Sequence, residues 1–374
     1  MSRFVKKLES SVKVSARMVQ MCSMFEITPD GKTAHALDLP MDHDDRPWSV
    51  GLIVGPSGSG KSTVGREIFG GCRVSRQEWS ADRAVIDDVA AGAKTSEVCA
   101  ALSHVGFSSP PAWMRPFRLL SGGEQFRAGV ARAVLECGKD EICVVDEFTS
   151  VVDRQVAQVG SSAIAKMVRA QGKRLVAISC HYDIIEWLQP DWVLYVDERR
   201  FEWRCVQRRP EIQLTISMVA SQAWDIFSRH HYLSHEINPS SRCFVASVRG
   251  EPVAFASVLS FPHPTSPGWR GHRTVCLPDW QGVGIGNALS NYVASIYAAT
   301  GKPYRSTTAH PAMIQYRAKH PHWDLKKQPS LNSKGCKSSM ASIVGSNAVN
   351  RSTASFEWVG PKNAADARAF GLIK

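Results

Sequence analysis

The stretch Gly55-Pro-Ser-Gly-Ser-Gly-Lys-Ser-Thr63 decides the fold of the first half of this chain, and it directly follows the apolar run Val50 to Val54. It matches the phosphate-binding pattern G-x-x-x-x-G-K-[ST] in the strand-then-helix setting that the pattern requires. Glycines let the backbone turn so that its N–H groups point at phosphate oxygens, and the following helix adds its positive end. The alternative, an ordinary glycine-rich turn, seldom shows this full pattern between a buried strand and a helix. The predicted nucleotide contacts are Gly55, Ser57, Gly58, Gly60, Lys61, Ser62 and Thr63.

Two further segments place polar residues after apolar runs. Leu120-Ser121-Gly122-Gly123-Glu124-Gln125 opens an amphipathic stretch, and Ile142-Cys-Val-Val-Asp146-Glu147 predicts a buried strand that ends in two carboxylates. Asp153 follows this strand, and His181 follows another apolar strand, Leu175 to Ile178. This order of motifs resembles the ABC ATPase family over about residues 10 to 200.

The resemblance implies the parts of an ATP-hydrolysing site. Lys61 would reach the β- and γ-phosphates, and Mg²⁺ would be held by Ser62, Gln77 and, through water, Asp146. Glu147 would polarise the attacking water, and His181 would contact the γ-phosphate. Phe148 stands where the family commonly has proline, which removes no catalytic group.

The chain carries one phosphate loop and one signature, and in the family these face each other across a dimer. The resemblance therefore implies a head-to-tail homodimer with two ATP sites. Ser121, Gly122 and Gly123 would be the signature that meets the γ-phosphate, and Asp153 would lie at the dimer seam. The adenine-stacking aromatic stays open, with Phe25 either stacking on adenine or lying in the core.

Composition predicts a cytoplasmic protein of two domains. The chain has 374 residues, 44% of them apolar, but no continuous apolar run long enough to span a membrane. The segment from Met1 to Met21 lacks the apolar core of a signal peptide, and alternation from Val12 to Met18 predicts an early strand. The resemblance implies a longer interval between Lys61 and Ser121 in transporter subunits of the family than this chain has, so it argues against a transporter subunit, and no membrane partner is expected.

A second glycine-rich turn lies in the other half of the chain. Arg273 to Pro278 predicts a strand, Gln281-Gly-Val-Gly-Ile-Gly286 follows, and Asn287 to Ala299 predicts a helix. This order resembles motif A of the GNAT acyltransferases, whose backbone N–H groups hold the pyrophosphate of acetyl-CoA; the alternative is a chance glycine turn. The implied acyl-CoA contacts are Gln281, Gly282, Val283, Gly284, Ile285, Gly286 and Asn287.

Other segments fit the same family over residues 211 to 360. The predicted elements are a strand from Ile212 to Val219, a helix from Ser221 to His231, a hairpin of Phe244 to Ser247 with Val253 to Leu259, a strand from Tyr304 to Thr308, a short helix after His310-Pro311, and a strand from Phe356 to Val359. Tyr316 on the short helix stands where the family often places the acid that protonates the leaving thiolate, although a core tyrosine is equally compatible. The general base stays open among Glu251, His231, His263 and Asp279.

Charge separates the halves. Residues 1–210 hold 28 Lys and Arg against 26 Asp and Glu, a net of +2, whereas residues 211–374 hold 17 against 8, a net of +9. This excess favours a polyanionic partner, DNA or RNA, over a merely solvated basic surface. The segments Trp269 to Arg273 and Lys302 to Arg305 mix bases with aromatic residues, as nucleic-acid surfaces do.

We therefore predict an α/β chain with a P-loop ABC ATPase domain (1–198), a basic linker (199–210) and an α+β GNAT acyltransferase domain (211–374). The fusion resembles a small family of soluble ABC ATPases joined to a GNAT domain in archaea, bacteria and phages. The second half is also loosely similar to phage DNA-modification acyltransferases of the Mom type. The predicted activity is acyl transfer to a nucleic-acid base or a nucleic-acid-bound target. The alternatives are a protein or small-amine acetyltransferase regulated by the ATPase, and a nucleic-acid clamp with a non-catalytic C-terminal module.

Overall fold

A computed structural model describes residues 3–25, 32–70, 77–138, 140–204, 212–231, 235–331 and 352–374. Up to residue 204 the elements are β1 (Arg3–Ser11), α1 (Ala16–Met24), β2 (Lys32–Pro40), β3 (Val50–Val54), α2 (Lys61–Phe69), α3 (Val85–Asp88), α4 (Thr95–His104), α5 (Pro110–Trp113), α6 (Gly122–Glu136), β4 (Ile142–Val145), α7 (Arg154–Ala170), β5 (Arg174–Ser179), α8 (Ile184–Leu188), β6 (Trp192–Tyr195) and β7 (Arg200–Trp203). From residue 212 they are β8 (Thr215–Val219), α9 (Trp224–Phe227), β9 (Arg242–Val248), β10 (Glu251–Phe261), β11 (Gly268–Cys276), α10 (Ile285–Ala298), β12 (Tyr304–Thr308), α11 (Pro311–Lys319), β13 (Trp323–Leu331), β14 (Ser352–Trp358) and α12 (Ala364–Ala369).

The chain forms two compact units. The first unit is Met1–Arg76, Cys137–Ser150 and Val168–Gln207, and the second unit is Gln77–Glu136, Val151–Met167 and Arg208–Lys374. The predicted division at residues 198 and 211 stays a prediction.

A five-stranded sheet forms the centre of the first unit, in the order β4-β5-β3-β6-β7. The four strands β4, β5, β3 and β6 are parallel, and β7 is antiparallel to β6. All five residues of β3 are buried, as expected for a central parallel strand covered on both faces. Gly51 is required in β3 because a Cβ atom there would collide with the Trp192 indole. The sheet therefore holds the carboxyl ends of β3 and β4, where the phosphate loop and the acidic pair begin, at one edge.

The structure corrects the prediction at the amino-terminal end. The expected strand from Val12 to Met18 is wrong, because β1 ends at Ser11 and α1 begins at Ala16. Ser15 is the N-cap of α1, and its side chain accepts a hydrogen bond from the Met18 N–H at 3.3 Å. Local capping thus overrides the alternating pattern.

A seven-stranded sheet dominates the second unit, in the order β13-β14-β12-β11-β10-β9-β8. All neighbours are antiparallel except β11 and β12, which pair in parallel through only Trp269 to Gly271 and Tyr304 to Ser306. Beyond these residues β11 continues to Cys276 without pairing to β12. The loop before α10 therefore lies where the two parallel strands have stopped pairing.

Most predicted elements of this half exist, with shifted ends. The strand Tyr304–Thr308 has its predicted bounds, and α10 begins at Ile285, within the glycine loop. The expected helix from Ser221 to His231 is broken into α9 and two short 3₁₀ turns. The mixed α/β class is confirmed.

The basic linker predicted for residues 199–210 contains a strand. Residues 200–203 form β7, and residues 205–210 lie outside the described residues. Among the helices that the structure describes, none combines the length and apolar character needed to cross a membrane.

Candidate active sites

The first glycine loop joins β3 to α2. Gly58 and Gly60 have φ of 80° and 92°, which side chains rarely adopt, and Gly60 is the N-cap of α2. The first N–H groups of an α-helix have no intrahelical partner, and no side chain among the described residues caps those of α2. The Lys61 Nζ donates to the Pro56 carbonyl at 2.6 Å and so lies over the loop. This construction fits a bound phosphate.

A hydroxyl and a carboxylate meet beside this loop. The Ser62 Oγ donates to the Asp146 Oδ1 at 3.0 Å, and the Glu147 N–H donates to the same oxygen at 3.0 Å. Glu147 has φ of 52°, in the left-handed region. Hydroxyl and carboxylate oxygens are ligands that Mg²⁺ prefers, so Ser62 and Asp146 fit the predicted metal.

Gln77 belongs to the second unit. Its Nε2 donates to the Gly129 carbonyl at 3.0 Å, which leaves the carbonyl oxygen of the side chain buried and without a partner among the described residues. A buried oxygen without a donor is costly, and a hard cation would satisfy it. In the described ranges no group of three or more His, Cys, Asp or Glu residues is arranged to hold a metal.

Three other predicted ATP-site residues, Ser121, Asp153 and His181, form hydrogen bonds next to the end of a helix or strand. Ser121 forms a capping box with Glu124, in which each side chain bonds the other residue's N–H, at 3.3 and 2.9 Å, at the start of α6. Asp153 caps α7 by accepting from the Gln155 and Val156 N–H groups. The His181 N–H donates to the Ser179 Oγ at 3.1 Å. The nucleotide roles of Gly122, Gly123 and these residues stay predictions.

The second glycine loop joins β11 to α10 through a short 3₁₀ turn, Pro278–Trp280. Gly284 has φ of 96° and is the N-cap of α10, again without a side-chain cap. A Cβ atom at Gly284 would meet nothing within 4 Å, so its outer side is open. The loop therefore offers backbone N–H groups and a helix N-terminus to a phosphate group.

Other residues of this loop face the protein. The Gln281 Nε2 donates to the Cys276 carbonyl at 2.8 Å, and the Gln281 side chain is buried. Ile285 is in the core, and Val283, Gly286 and Asn287 are half-buried. Burial raises the pKa of the Cys276 thiol to about 12, and a hydrogen bond from the Gly286 N–H opposes this rise. Cys276 is thus a packing residue rather than a thiolate nucleophile.

Tyr316 belongs to a polar cluster that the sequence did not indicate. The Trp323 indole N–H can only donate, and it donates to the Asn291 Oδ1 at 2.9 Å. The Asn291 Nδ2 is therefore turned to the Tyr316 Oη, to which it donates at 2.8 Å, and the His320 Nε2 lies 3.4 Å away. This leaves the phenolic hydrogen of Tyr316 available for another acceptor. Asn291 lies in α10, His320 follows the end of α11, and Trp323 begins β13, so no local sequence pattern could have grouped them.

The candidate bases have different surroundings. His231 is buried with its ring 5.5 Å from that of Trp224, and the Asp279 side chain is 52% exposed. The His263 Nδ1 accepts from loop N–H groups, and Glu251 is exposed. These surroundings single out no base, so the choice stays open.

The two basic segments expected at a nucleic-acid surface are largely used inside the domain. Arg305 bonds Glu357 at 2.9 Å and the Ser266 hydroxyl at 2.8 Å. Arg273 is buried and donates to the Glu236 carbonyl at 3.2 Å. These contacts make both arginines structural residues.

His272 occupies a β-bulge in β11. The register with β10 passes from Arg273 opposite Ser257 to Gly271 opposite Val258 and skips His272. Burial, with Arg273 and Arg270 nearby, lowers the pKa of His272 to about 3. The imidazole is therefore neutral at neutral pH.

A comparison with protein families finds a match that includes the second glycine loop. Residues 183–318 match the model of the Acetyltransferase (GNAT) family, a range that begins just before α8 and ends in α11. This part of the chain is therefore similar to the GNAT family, which the sequence analysis expected for the second half. A comparison with curated proteins found no match.

Several solved structures resemble part of the chain. One is cbiO1 from Clostridium perfringens, part of the ABC transporter complex cbiONQ, with 19% identity over 40% of this chain and 74% of that chain and a TM-score of 0.33. Another is the ATP-binding cassette MJ0796, a dimer in a post-hydrolysis state with ADP and Pi, with 16% identity over 54% of this chain and 98% of that chain and a TM-score of 0.38. A third is a putative metal-chelate type ABC transporter in an inward-facing conformation, with 17% identity over 50% of this chain and 85% of that chain and a TM-score of 0.34.

Proposed function

We propose that the chain joins an ABC-type ATPase to an acyl-CoA-dependent N-acyltransferase that acts on nucleic acid or on a target bound to it. One observation supports this proposal: the chain holds two glycine loops of the same construction. Gly60 (φ 92°, ψ 9°) and Gly284 (φ 96°, ψ 3°) are both N-caps in the left-handed conformation, and neither helix has a side-chain cap. The loop at Gly60 follows β3 and has a lysine, Lys61, at the start of its helix. The loop at Gly284 lies in the range that matches the GNAT family.

In the ATPase reaction, water attacks the γ-phosphorus of ATP, and ADP and phosphate leave. Ser62 and Asp146 would hold Mg²⁺, which neutralises charge on the phosphates. Lys61 binds the β- and γ-phosphates, and Glu147 polarises the water. The signature glycines of a second copy complete the site, so ATP stabilises a homodimer.

In the acyl transfer, an amine attacks the thioester carbonyl directly. The new C–N bond forms, the C–S bond breaks, and the thiolate of CoA leaves with a proton. Tyr316 supplies this proton, because Asn291 donates to its oxygen and leaves the phenolic hydrogen available. The base that takes the amine's proton is open among the four candidates.

Net charge and side-chain contacts favour different acyl acceptors. The net charge of +9 over residues 211–374 favours a polyanion. The internal contacts of Arg273 and Arg305 instead favour the alternative acceptor, a protein or small amine, because they remove two cations from the surface.

Mass spectrometry of nucleosides tests the acceptor. Nucleic acid from cells that express the chain should contain an acylated base, and cells that express Tyr316→Phe should contain much less. Tyr316→Phe keeps the ring and should still bind acetyl-CoA in calorimetry. Binding of acetyl-CoA without an acylated nucleoside would reject the nucleic-acid acceptor, and no binding would favour the non-catalytic clamp.

A further inference from the structure

The second glycine loop, Gln281 to Gly286, is called the acyl-CoA loop below. Within the second unit, it packs on a segment from the first half of the sequence. Gly106 and Gly282 have φ of 84° and 88°, and their backbones are in contact. A Cβ atom at Gly282 would lie 2.7 Å from the Gly106 Cα and 2.9 Å from the Ala163 Cβ, and a Cβ atom at Gly106 would lie 2.5 Å from the Gln281 carbonyl oxygen. Only glycine at both positions permits this approach.

The backbone of Ser108 connects the loop to a second helix. The Ser108 N–H donates to the Gln281 Oε1 at 2.5 Å, and the Ser108 carbonyl accepts from the His310 Nε2 at 3.4 Å. His310 is the N-cap of α11, the helix that carries Tyr316. One short segment thus touches both the acyl-CoA loop and the start of the helix that holds the predicted acid.

Helix α6 makes a further connection. The Arg127 side chain is fully buried, and its Nη2 lies 3.5 Å from the Oδ1 of Asp279, just before Gln281 in the chain. Its other two nitrogens have no partner among the described residues. The same Nη2 would lie 3.6 Å from a Cβ atom at Gly123, so Arg127 is next to the signature as well. Burying a charge with so few partners is costly, which makes the guanidinium sensitive to the position of Asp279.

We propose that Gly106–Ser108 and Arg127 position the acyl-CoA loop, and that they link its affinity for acyl-CoA to the nucleotide bound at the signature end of α6. This inference rests on the proposed functions of the two phosphate loops. A displacement of α6 by nucleotide would move Arg127 relative to Asp279 and shift the loop. By thermodynamic reciprocity, acyl-CoA must then change nucleotide affinity by the same factor.

The first test uses a glycine outside the loop. Gly106→Ala places a Cβ atom against the Gln281 carbonyl and should weaken acetyl-CoA binding to the full chain by about tenfold or more, measured by calorimetry. Gly172→Ala is the matched control: Gly172 also has a positive φ, of 62°, but its Cβ would meet nothing within 4 Å. Equal acetyl-CoA affinity in Gly106→Ala and Gly172→Ala would overturn the positioning role.

The second test measures the link itself, with a change that leaves the core intact. In the wild type, the acetyl-CoA Kd should differ by about fivefold or more between protein alone and protein with Mg²⁺ and AMP-PNP. In Asp279→Asn this difference should fall below about twofold. The control Asp324→Asn removes the charge of a carboxylate of similar exposure, 51% against 52%, that pairs with Lys326 instead, and it should behave as wild type.

The hydrolysis rate gives a readout that general destabilisation would not mimic. At ATP concentrations below KM, where the rate reports nucleotide affinity, saturating acetyl-CoA should change the ATPase rate of the wild type and of Asp324→Asn but not of Asp279→Asn. A wild-type Kd for acetyl-CoA that is the same with and without AMP-PNP would overturn the link and leave the proposed function intact. Absence of any acetyl-CoA binding by the wild type would instead reject the acyltransferase, and this inference with it. If Gly106→Ala does not fold, the proposal is tested by the acetyl-CoA Kd of Asp279→Asn with and without AMP-PNP.

Discussion

Glu147 combines a strained backbone with a position next to Asp146, whose carboxylate accepts a hydrogen bond from Ser62. Its φ of 52° is in the left-handed region, and its N–H is held by the Asp146 Oδ1. Such conformations cost about 1–3 kcal/mol and persist where the surroundings fix them, often at functional sites. The sequence motif identified this residue, but its backbone conformation is visible only in the structure.

Glu147→Gln should abolish ATP turnover and accumulate an ATP-bound dimer. The amide keeps the size of the side chain and the backbone contacts but no longer polarises water, so phosphate release should fall by about 100-fold or more. Size-exclusion chromatography with ATP and Mg²⁺ should show a shift from monomer to dimer. Glu198→Gln, which removes a surface partner of Arg200, is the control. A Glu147→Gln protein that hydrolyses ATP at the wild-type rate would show that the assignment of this carboxylate is wrong.

At the scale of elements, the loop before α10 is the most direct test of acyl-CoA binding. Gly284→Glu should abolish acetyl-CoA binding in calorimetry, because a charged side chain would occupy and repel the pyrophosphate, while ATP hydrolysis should persist. Gly301→Glu is a close control: its φ is 78°, and a Cβ atom there also meets nothing within 4 Å. It lies in the turn before β12, away from the loop. Unchanged acetyl-CoA affinity in Gly284→Glu would reject the loop as the binding site.

The bulge in β11 should make the second unit sensitive to acid. The folded-state pKa of His272, about 3, is below the unfolded value near 6.5. The unfolded chain therefore binds this proton more readily, and stability is lost as pH falls from about 6.5 towards 3. His272→Gln should reduce the drop in Tm between pH 7.5 and pH 5. The exposed His263→Gln should keep the wild-type drop, and an equal drop in all three proteins would contradict the assignment.

The elements also show how far the sequence alone reaches. The strands Val50–Val54 and Tyr304–Thr308 could be bounded from the sequence. The first is an apolar run that ends at a glycine loop, and the second holds the strand-favouring residues Tyr and Thr directly after a Gly-Lys-Pro turn. The helix α1 was missed because a single N-cap, Ser15, overrides a weak alternation. The Asn291–Trp323 contact and the packing of Gly106 on Gly282 join residues far apart in the chain, and such pairs leave no mark in one sequence.

For the whole molecule, charge distribution gives the remaining prediction. The full chain should bind a polynucleotide at low salt, and log K should fall with log[salt] at a slope of about −0.9 per phosphate contact on duplex DNA. Because Arg273 and Arg305 are used internally, the cations to test are exposed ones: Lys302, Lys319 and Lys362. Replacing all three by Gln should flatten the slope by up to about 2.7, since up to three fewer counterions are released. Lys7, Lys13 and Lys94 replaced by Gln serve as the control from residues 1–210 and should leave the slope nearly unchanged, because that half has a net charge of only +2. No binding of the wild type at low ionic strength would reject a nucleic-acid partner and favour a protein or small amine as the acyl acceptor.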